Sequence, residues 1–237
     1  MKIVRTSRSV RLVDGPDLVS HLRTKPGPTH GLFDLLAACI AGFAPGEERP
    51  PRAALRGFAA GGLVAPLRAM QWQHRLDAVD LSLDAAEYFH EVARDWGGDV
   101  RLTQADAAVW LRGRRTRWDV VVEDLTVRGR SCAIKPPVSV DVLPPLLAAR
   151  LSVHGVAVTN VLPVPELSWD ELLSRLAAPH VRAMVVTTDE YENRILLAGP
   201  GLTTAAAATA RLRTMLRRIR SKQVDRFSIR MWKIPRR

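Results

Sequence analysis

Residues 52–63, Arg52-Ala53-Ala54-Leu55-Arg56-Gly57-Phe58-Ala59-Ala60-Gly61-Gly62-Leu63, run from a short apolar stretch into a glycine-rich turn. Such a turn lets backbone approach a ligand closely, and the helix that follows it offers N–H groups to polar or anionic atoms. Outward from this stretch the same unit repeats. Helical patterns at 63–70, 82–96, 107–111, 142–151 and 168–176 alternate with apolar strands at 76–81, 100–103, 119–123, 155–161 and 183–187, and a last strand follows at 193–198. Ser82 is placed to cap the second of these helices. Seven strands that end with two in succession predict an α/β fold with a doubly wound, mostly parallel sheet and an antiparallel last strand.

The flanks read differently. Residues 1–30 alternate weakly around Asp14-Gly15-Pro16 and Lys25-Pro26-Gly27-Pro28, which predicts a small β arm. A mostly buried helix is expected over 31–43 and a linker over 45–52, with 31–200 forming the main domain. Beyond 200, a helix over 203–223 and a strand over 226–234 make a basic C-terminal segment. Eleven Lys and Arg residues lie between Arg211 and Arg237 against Asp225 alone, so this segment carries +10 of the chain's +11. Polyanion binding is therefore a question about the segment, and a solvated face or a partner subunit are its other readings. No uninterrupted apolar run reaches the length of a membrane span, and the N-terminus lacks a signal-like apolar core, so the expected compartment is the cytoplasm. Cys39 and Cys132 match no metal spacing and read as buried thiols, and no metal site is expected.

Three carboxylates fall at strand ends. Asp80, in AVDLS, stands about twenty residues after the glycine turn, where an acid in nucleotide-binding α/β folds accepts ribose hydroxyls. Asp106, in QADA, follows the third strand, where it could receive an adenine amino group, cap the next helix, or do both. Asp124 closes Trp118-Asp119-Val120-Val121-Val122-Glu123-Asp124, at the crevice where open sheets bind substrates; it could orient or deprotonate an acceptor, or form a turn. The reading requires these three acids to converge along one sheet edge beside the turn. His30, in Pro-Thr-His-Gly, is a candidate substrate or cofactor contact. Tyr191, in Glu190-Tyr191-Glu192-Asn193, either lines the pocket or caps the sheet edge. The remaining histidines and the six tryptophans carry no spacing that points to chemistry.

The glycine turn, AVDLS, QADA, WDVVVEDL and the later EYENRILLAG, taken over residues 29–199, resemble the class I S-adenosylmethionine-dependent methyltransferase fold and in particular its spermidine-synthase-like branch. The resemblance implies a Rossmann-like domain and S-adenosylmethionine, or its decarboxylated form, as cofactor. It places Gly57, Ala59 and Gly61 on the turn that contacts the methionine portion, Asp80 on the ribose, Asp106 and Ala107 on the adenine, and Asp124 on the carboxylate that opens the Asp-Ser-Ser/Thr-Asp-Pro stretch of spermidine synthases. Two departures bear on the reaction. The middle glycine of the turn is Ala59, and the second carboxylate of the stretch is replaced, since Val127 and Arg128 stand there. A buried ammonium that loses a carboxylate partner loses several kcal/mol, which disfavours an ordinary diamine as acceptor. The preferred expectation is methyl transfer to a small molecule or peptide that is not a polyamine. Aminopropyl transfer and a non-catalytic binding module with a polyanion-binding tail are the alternatives, and the resemblance also implies a homodimer formed through the N-terminal arm.

Overall fold

A computed structural model describes residues 1–43, 49–130 and 132–234, so the first half of the linker expected at 45–52 lies outside the described residues. Three strands open the chain, β1 (Lys2–Arg5), β2 (Ser9–Asp14) and β3 (Asp17–Arg23), paired antiparallel as the small arm. Then come α1 (Leu32–Phe43), β4 (Ala53–Arg56), α2 (Val64–Ala69), β5 (Leu76–Asp80), α3 (Ala86–Val92), β6 (Val100–Gln104), α4 (Ala107–Arg112) and β7 (Trp118–Glu123). A two-stranded ribbon, β8 (Val127–Arg128) and β9 (Ala133–Ile134), leads into α5 (Pro137–Asp141), α6 (Leu143–Ala149) and β10 (Leu151–Val161). The chain continues with α7 (Trp169–Ala177), β11 (Ala183–Thr188), β12 (Arg194–Ala198), α8 (Ala205–Arg218), a 3-10 turn (Lys222–Asp225) and β13 (Phe227–Trp232).

The main sheet runs β13-β11-β12-β10-β7-β4-β5-β6. Strands β6, β5, β4, β7 and β10 are parallel, β12 is antiparallel to both β10 and β11, and β13 is antiparallel to β11. The sheet therefore has eight strands rather than seven, because the strand expected at 226–234 joins its edge. Winding proceeds from β4 outward to β6, then restarts at β7 on the other side of β4. The switch point lies between the carboxyl ends of β4 and β7, where such sheets open a crevice.

Burial explains the composition of the central strands. All six residues of β7 are buried, which is the pattern of a strand covered on both faces. Successive side chains alternate between faces. Leu55, Ala78, Val122 and Val158 join one apolar cluster with α1, α2, α3 and α8, whereas Ala54, Val79, Val121 and Ala157 join a second with α4 and α6. The basic C-terminal helix is thus part of a layer: Leu212 and Leu216 are buried and α8 packs on α1. Two local expectations are corrected. The helix after β5 begins at Ala86 with no side-chain cap, because Ser82 Oγ accepts from Asp84 N (3.1 Å) in the preceding turn. Cys39 is buried, whereas Cys132 is exposed. No helix among the described residues is long and apolar enough to cross a membrane.

Candidate functional site

The glycine turn alternates its backbone hand. Gly57, Ala59 and Gly61 have φ of 82°, 45° and 69°, so the three positions share the left-handed region and the alanine adopts what its flanking glycines adopt. An L-residue there costs about 1–2 kcal/mol. Gly57 is required by its neighbour: a side chain would begin 2.5 Å from the carbonyl oxygen of Asp124. Gly57 N donates to Val79 O (3.1 Å) and Asp124 N to Arg56 O (2.8 Å), which stitches the turn between β5 and β7.

Sequence reasoning sends the turn's free N–H groups toward a ligand. Two of them are instead turned onto Asp80, whose Oδ2 accepts from Phe58 N (2.7 Å) and Ala59 N (2.8 Å) while Oδ1 accepts from Ser82 N (3.3 Å). Phe58 itself is buried beneath the turn, edge-on to Phe89 at 5.2 Å. Asp106 stands on the neighbouring strand end, since Asp80 pairs with Gln104 and Ala105 N donates to Asp80 O (2.9 Å). Its Oδ1 caps α4 by accepting from Ala108 N and Val109 N, both at 2.9 Å, and Ala107 is the buried first residue of that helix.

Asp124 continues the alternation of β7 onto the face of α1. Its Oδ1 accepts from Asn160 Nδ2 (2.6 Å), and Asn160 Oδ1 accepts from Asn193 Nδ2 (3.0 Å). Burial raises the Asp124 carboxyl to about 6; Asn160 and Lys135 oppose the rise, and Glu123 and Asp80 add to it. The effect of Asp80 on Asp124 puts the two in one electrostatic neighbourhood. On the opposite face Glu123 is fully buried and held by Lys135 Nζ (2.9 Å to Oε1, 2.8 Å to Oε2), Ser139 Oγ (2.9 Å) and Leu125 N (2.9 Å). Sequence reasoning missed Lys135, Asn160 and Asn193. The signal for Asn160 is a polar amide closing the apolar run VAVTN at a strand's carboxyl end.

His30 and Tyr191 meet at the start of α1. A side chain on Gly31 would begin 3.0 Å from the Tyr191 hydroxyl, whose pKa is raised by burial and then by Asp34. His30 has φ 62°, donates its N–H to Asp34 Oδ2 (3.0 Å), and accepts on Nδ1 from Lys222 N (3.4 Å). Its carbonyl accepts from Gln223 Nε2 (3.0 Å), which also donates to Glu190 Oε2 (2.6 Å). The 3-10 turn of the basic segment therefore walls the loop that carries Tyr191, and Asn193 links that loop through Asn160 to Asp124. Several C-terminal arginines are engaged with the protein: Arg226 pairs with Glu190, Arg218 donates to Met70 O (2.9 Å), and Arg211 and Arg213 stand over Phe43 and Phe227.

No protein-family model and no curated protein matches the chain. Solved structures do. Human methyltransferase-like protein 13, in complex with SAH, is similar over 86% of this chain and 92% of its own at 19% identity, with a TM-score of 0.59. Spermidine synthase from Thermotoga maritima is similar over 86% of this chain and 73% of its own, at 13% identity and a TM-score of 0.55. A SAM-dependent methyltransferase from Agrobacterium tumefaciens is similar over 83% of this chain and 72% of its own, at 15% identity and a TM-score of 0.53. Strand order, switch point and these similarities agree that the chain has the class I S-adenosylmethionine-dependent methyltransferase fold, which spermidine synthases share.

Proposed function

We propose that this chain is an S-adenosylmethionine-dependent methyltransferase whose acceptor is a small molecule or peptide other than a polyamine. The observation that carries the reading is the meeting of Asp80, the Gly57–Gly61 turn and Asp124 at the carboxyl ends of β5, β4 and β7. The residues fit a nucleoside. Asp80 is half-exposed, and a carboxylate with about four lone-pair sites keeps acceptor capacity after three N–H bonds. Asp106 uses Oδ1 for its helix cap and adjoins Asp80. In this reading Asp80 holds the ribose, Asp106 and Ala107 the adenine, and Gly57, Ala59 and Gly61 the methionine portion.

When bound, S-adenosylmethionine supplies an electrophilic methyl carbon whose bond to sulfur breaks as the acceptor's lone pair attacks. Asp124 orients the acceptor's N–H or O–H and takes the proton it sheds; with a pKa of about 6 it is mostly ionised at neutral pH and close enough to it to exchange protons. His30 and Tyr191 line the acceptor side. Aminopropyl transfer is the second reading, favoured by the similarity to spermidine synthase. Against it, Val127, three residues after Asp124, is an exposed apolar side chain, and Arg128 points to Asp14 (3.4 Å).

Calorimetric titration with S-adenosylmethionine, its decarboxylated form and S-adenosylhomocysteine tests the proposal. Tighter binding of S-adenosylmethionine than of the decarboxylated donor, lost in Asp80→Ala, is the expected result. Preference for the decarboxylated donor favours aminopropyl transfer. Absence of any nucleoside affinity, together with salt-sensitive RNA binding, identifies a binding module instead.

A further inference from the structure

Asp124 is held by an amide, and the amide is itself held. Asn160 is 4% exposed, at the carboxyl end of β10 beside β7. Its Oδ1 accepts from Asn193 Nδ2 (3.0 Å), which fixes the amide so that Nδ2, the donor, faces Asp124 Oδ1 (2.6 Å). Among the described residues no hydrogen bond reaches Asp124 Oδ2. Asn193 belongs to the loop of Glu190 and Tyr191, and that loop is braced from behind by Gln223 and Arg226.

We propose that Asn160 is a positioning residue for Asp124: it fixes one carboxylate oxygen, leaves the other for the acceptor, and through Asn193 sets the carboxylate and the acceptor-side loop in one geometry. This rests on the methyl-transfer reading above. An N–H donor stabilises the ionised carboxyl without neutralising it, whereas a cation at the same place would remove its ability to exchange a proton near neutral pH. Among the described residues, the charges that act on Asp124 are Lys135 from the segment after β9 and Glu123 from β7, both across the sheet, and Asp80 from β5. Among the described residues Lys135 and Asn160 favour the anion, so loss of the amide leaves one of these two supports.

The test is carbon-13 NMR titration of the Asp124 carboxyl in the full chain, in Asn160→Leu and in Asn193→Ala, with S-adenosylmethionine affinity measured alongside by calorimetry. Asn160→Leu is expected to raise the Asp124 midpoint by about one pH unit, a tenfold change in proton affinity. Asn193→Ala raises it less, since the amide stays and only its orientation is freed, and donor affinity is unchanged in both. An unmoved midpoint in both variants overturns the proposal. Should Asn160→Leu fail to fold, an unmoved midpoint in Asn193→Ala alone overturns it. Midpoints that move in a chain with no affinity for any S-adenosyl nucleoside overturn the methyl-transfer reading and leave the assignment of Asn160 standing.

Discussion

Glu123 and Asp124 are consecutive residues at one strand end, and the sheet sends them to opposite sides. Glu123 meets Lys135, with Ser139 and the Leu125 N–H completing its shell. Asp124 meets a neutral amide, and burial raises its proton affinity against the opposing pull of that amide and of Lys135. The difference lies in the partner rather than in burial alone. Glu123 touches a cation directly, whereas the direct partner of Asp124 is an N–H donor, and Lys135 acts on it without forming an ion pair. The first is a structural solution, and the second has the electrostatics of a site.

The comparison breaks most visibly at Lys135. Removing one partner of a buried pair leaves the other charge uncompensated, so Lys135→Met is expected to lose about 3–5 kcal/mol in urea unfolding. Glu123→Leu combined with Lys135→Met recovers most of that loss, because apolar replacement of a whole buried pair is often neutral or better. A single variant as stable as the parent denies that Glu123 depends on its cation.

Asp124→Asn sharpens the other half. On the methyl-transfer reading, nucleoside affinity is expected to be retained and turnover to fall by about 10²–10⁴-fold, the usual worth of a positioned acid or base. The pH dependence follows from the sign of the shift. Folding raises this group's proton affinity, so between pH about 4 and about 6 the folded state binds more protons than the unfolded one, and stability falls as pH rises. The penalty is absent below pH 4 and complete above 6. Asp124→Asn should therefore be more stable than the parent at pH 7 and no more stable at pH 3.5, as read from unfolding curves at the two values. Turnover in the parent should rise along an acid limb centred near 6.

Gly57→Ala acts on both halves at once. A methyl 2.5 Å from the Asp124 carbonyl pushes the end of β7 away from the turn, and the left-handed φ adds strain, so a loss of about 2 kcal/mol or more is expected in thermal unfolding. A neutral outcome means that the switch point is looser than the contacts across it.

Much of this was legible in one dimension, for identifiable reasons. The apolar runs of β4, β5, β7 and β10 alternate with helical patterns, and parallel strands covered on both faces leave that trace. Asp80, Asp106 and Asp124 are legible as strand-end acids, which a doubly wound sheet brings to one edge. Partners are not legible. Lys135 and Asn160 are 12 and 36 residues from the carboxylates they hold, and only tertiary packing selects them. Nor does any pattern announce Arg56, fully buried against the indoles of Trp110 (4.7 Å) and Trp118 (5.0 Å), where burial lowers its pKa to about 9. The C-terminal charges mislead for the same reason: a count sees eleven cations, while the fold uses part of that segment as helix layer, sheet edge and loop support.

The smallest effect is expected at Ala59, where two terms oppose. Relief of the left-handed alanine favours glycine by about 1–2 kcal/mol, and the extra freedom of glycine in the unfolded chain returns about 0.4–1 kcal/mol. Ala59→Gly should therefore gain between about 0 and about 1.6 kcal/mol in thermal unfolding. The Asp80 bonds to the Phe58 and Ala59 N–H groups are backbone bonds and survive the change, so Asp80 keeps its place and the Asp124 titration stays where it was. If methyl transfer is the reaction, removing one methyl where the turn meets the methionine portion also raises donor affinity. A loss of stability instead would mean that the half-buried methyl is packed rather than tolerated, and that the turn depends on its alanine.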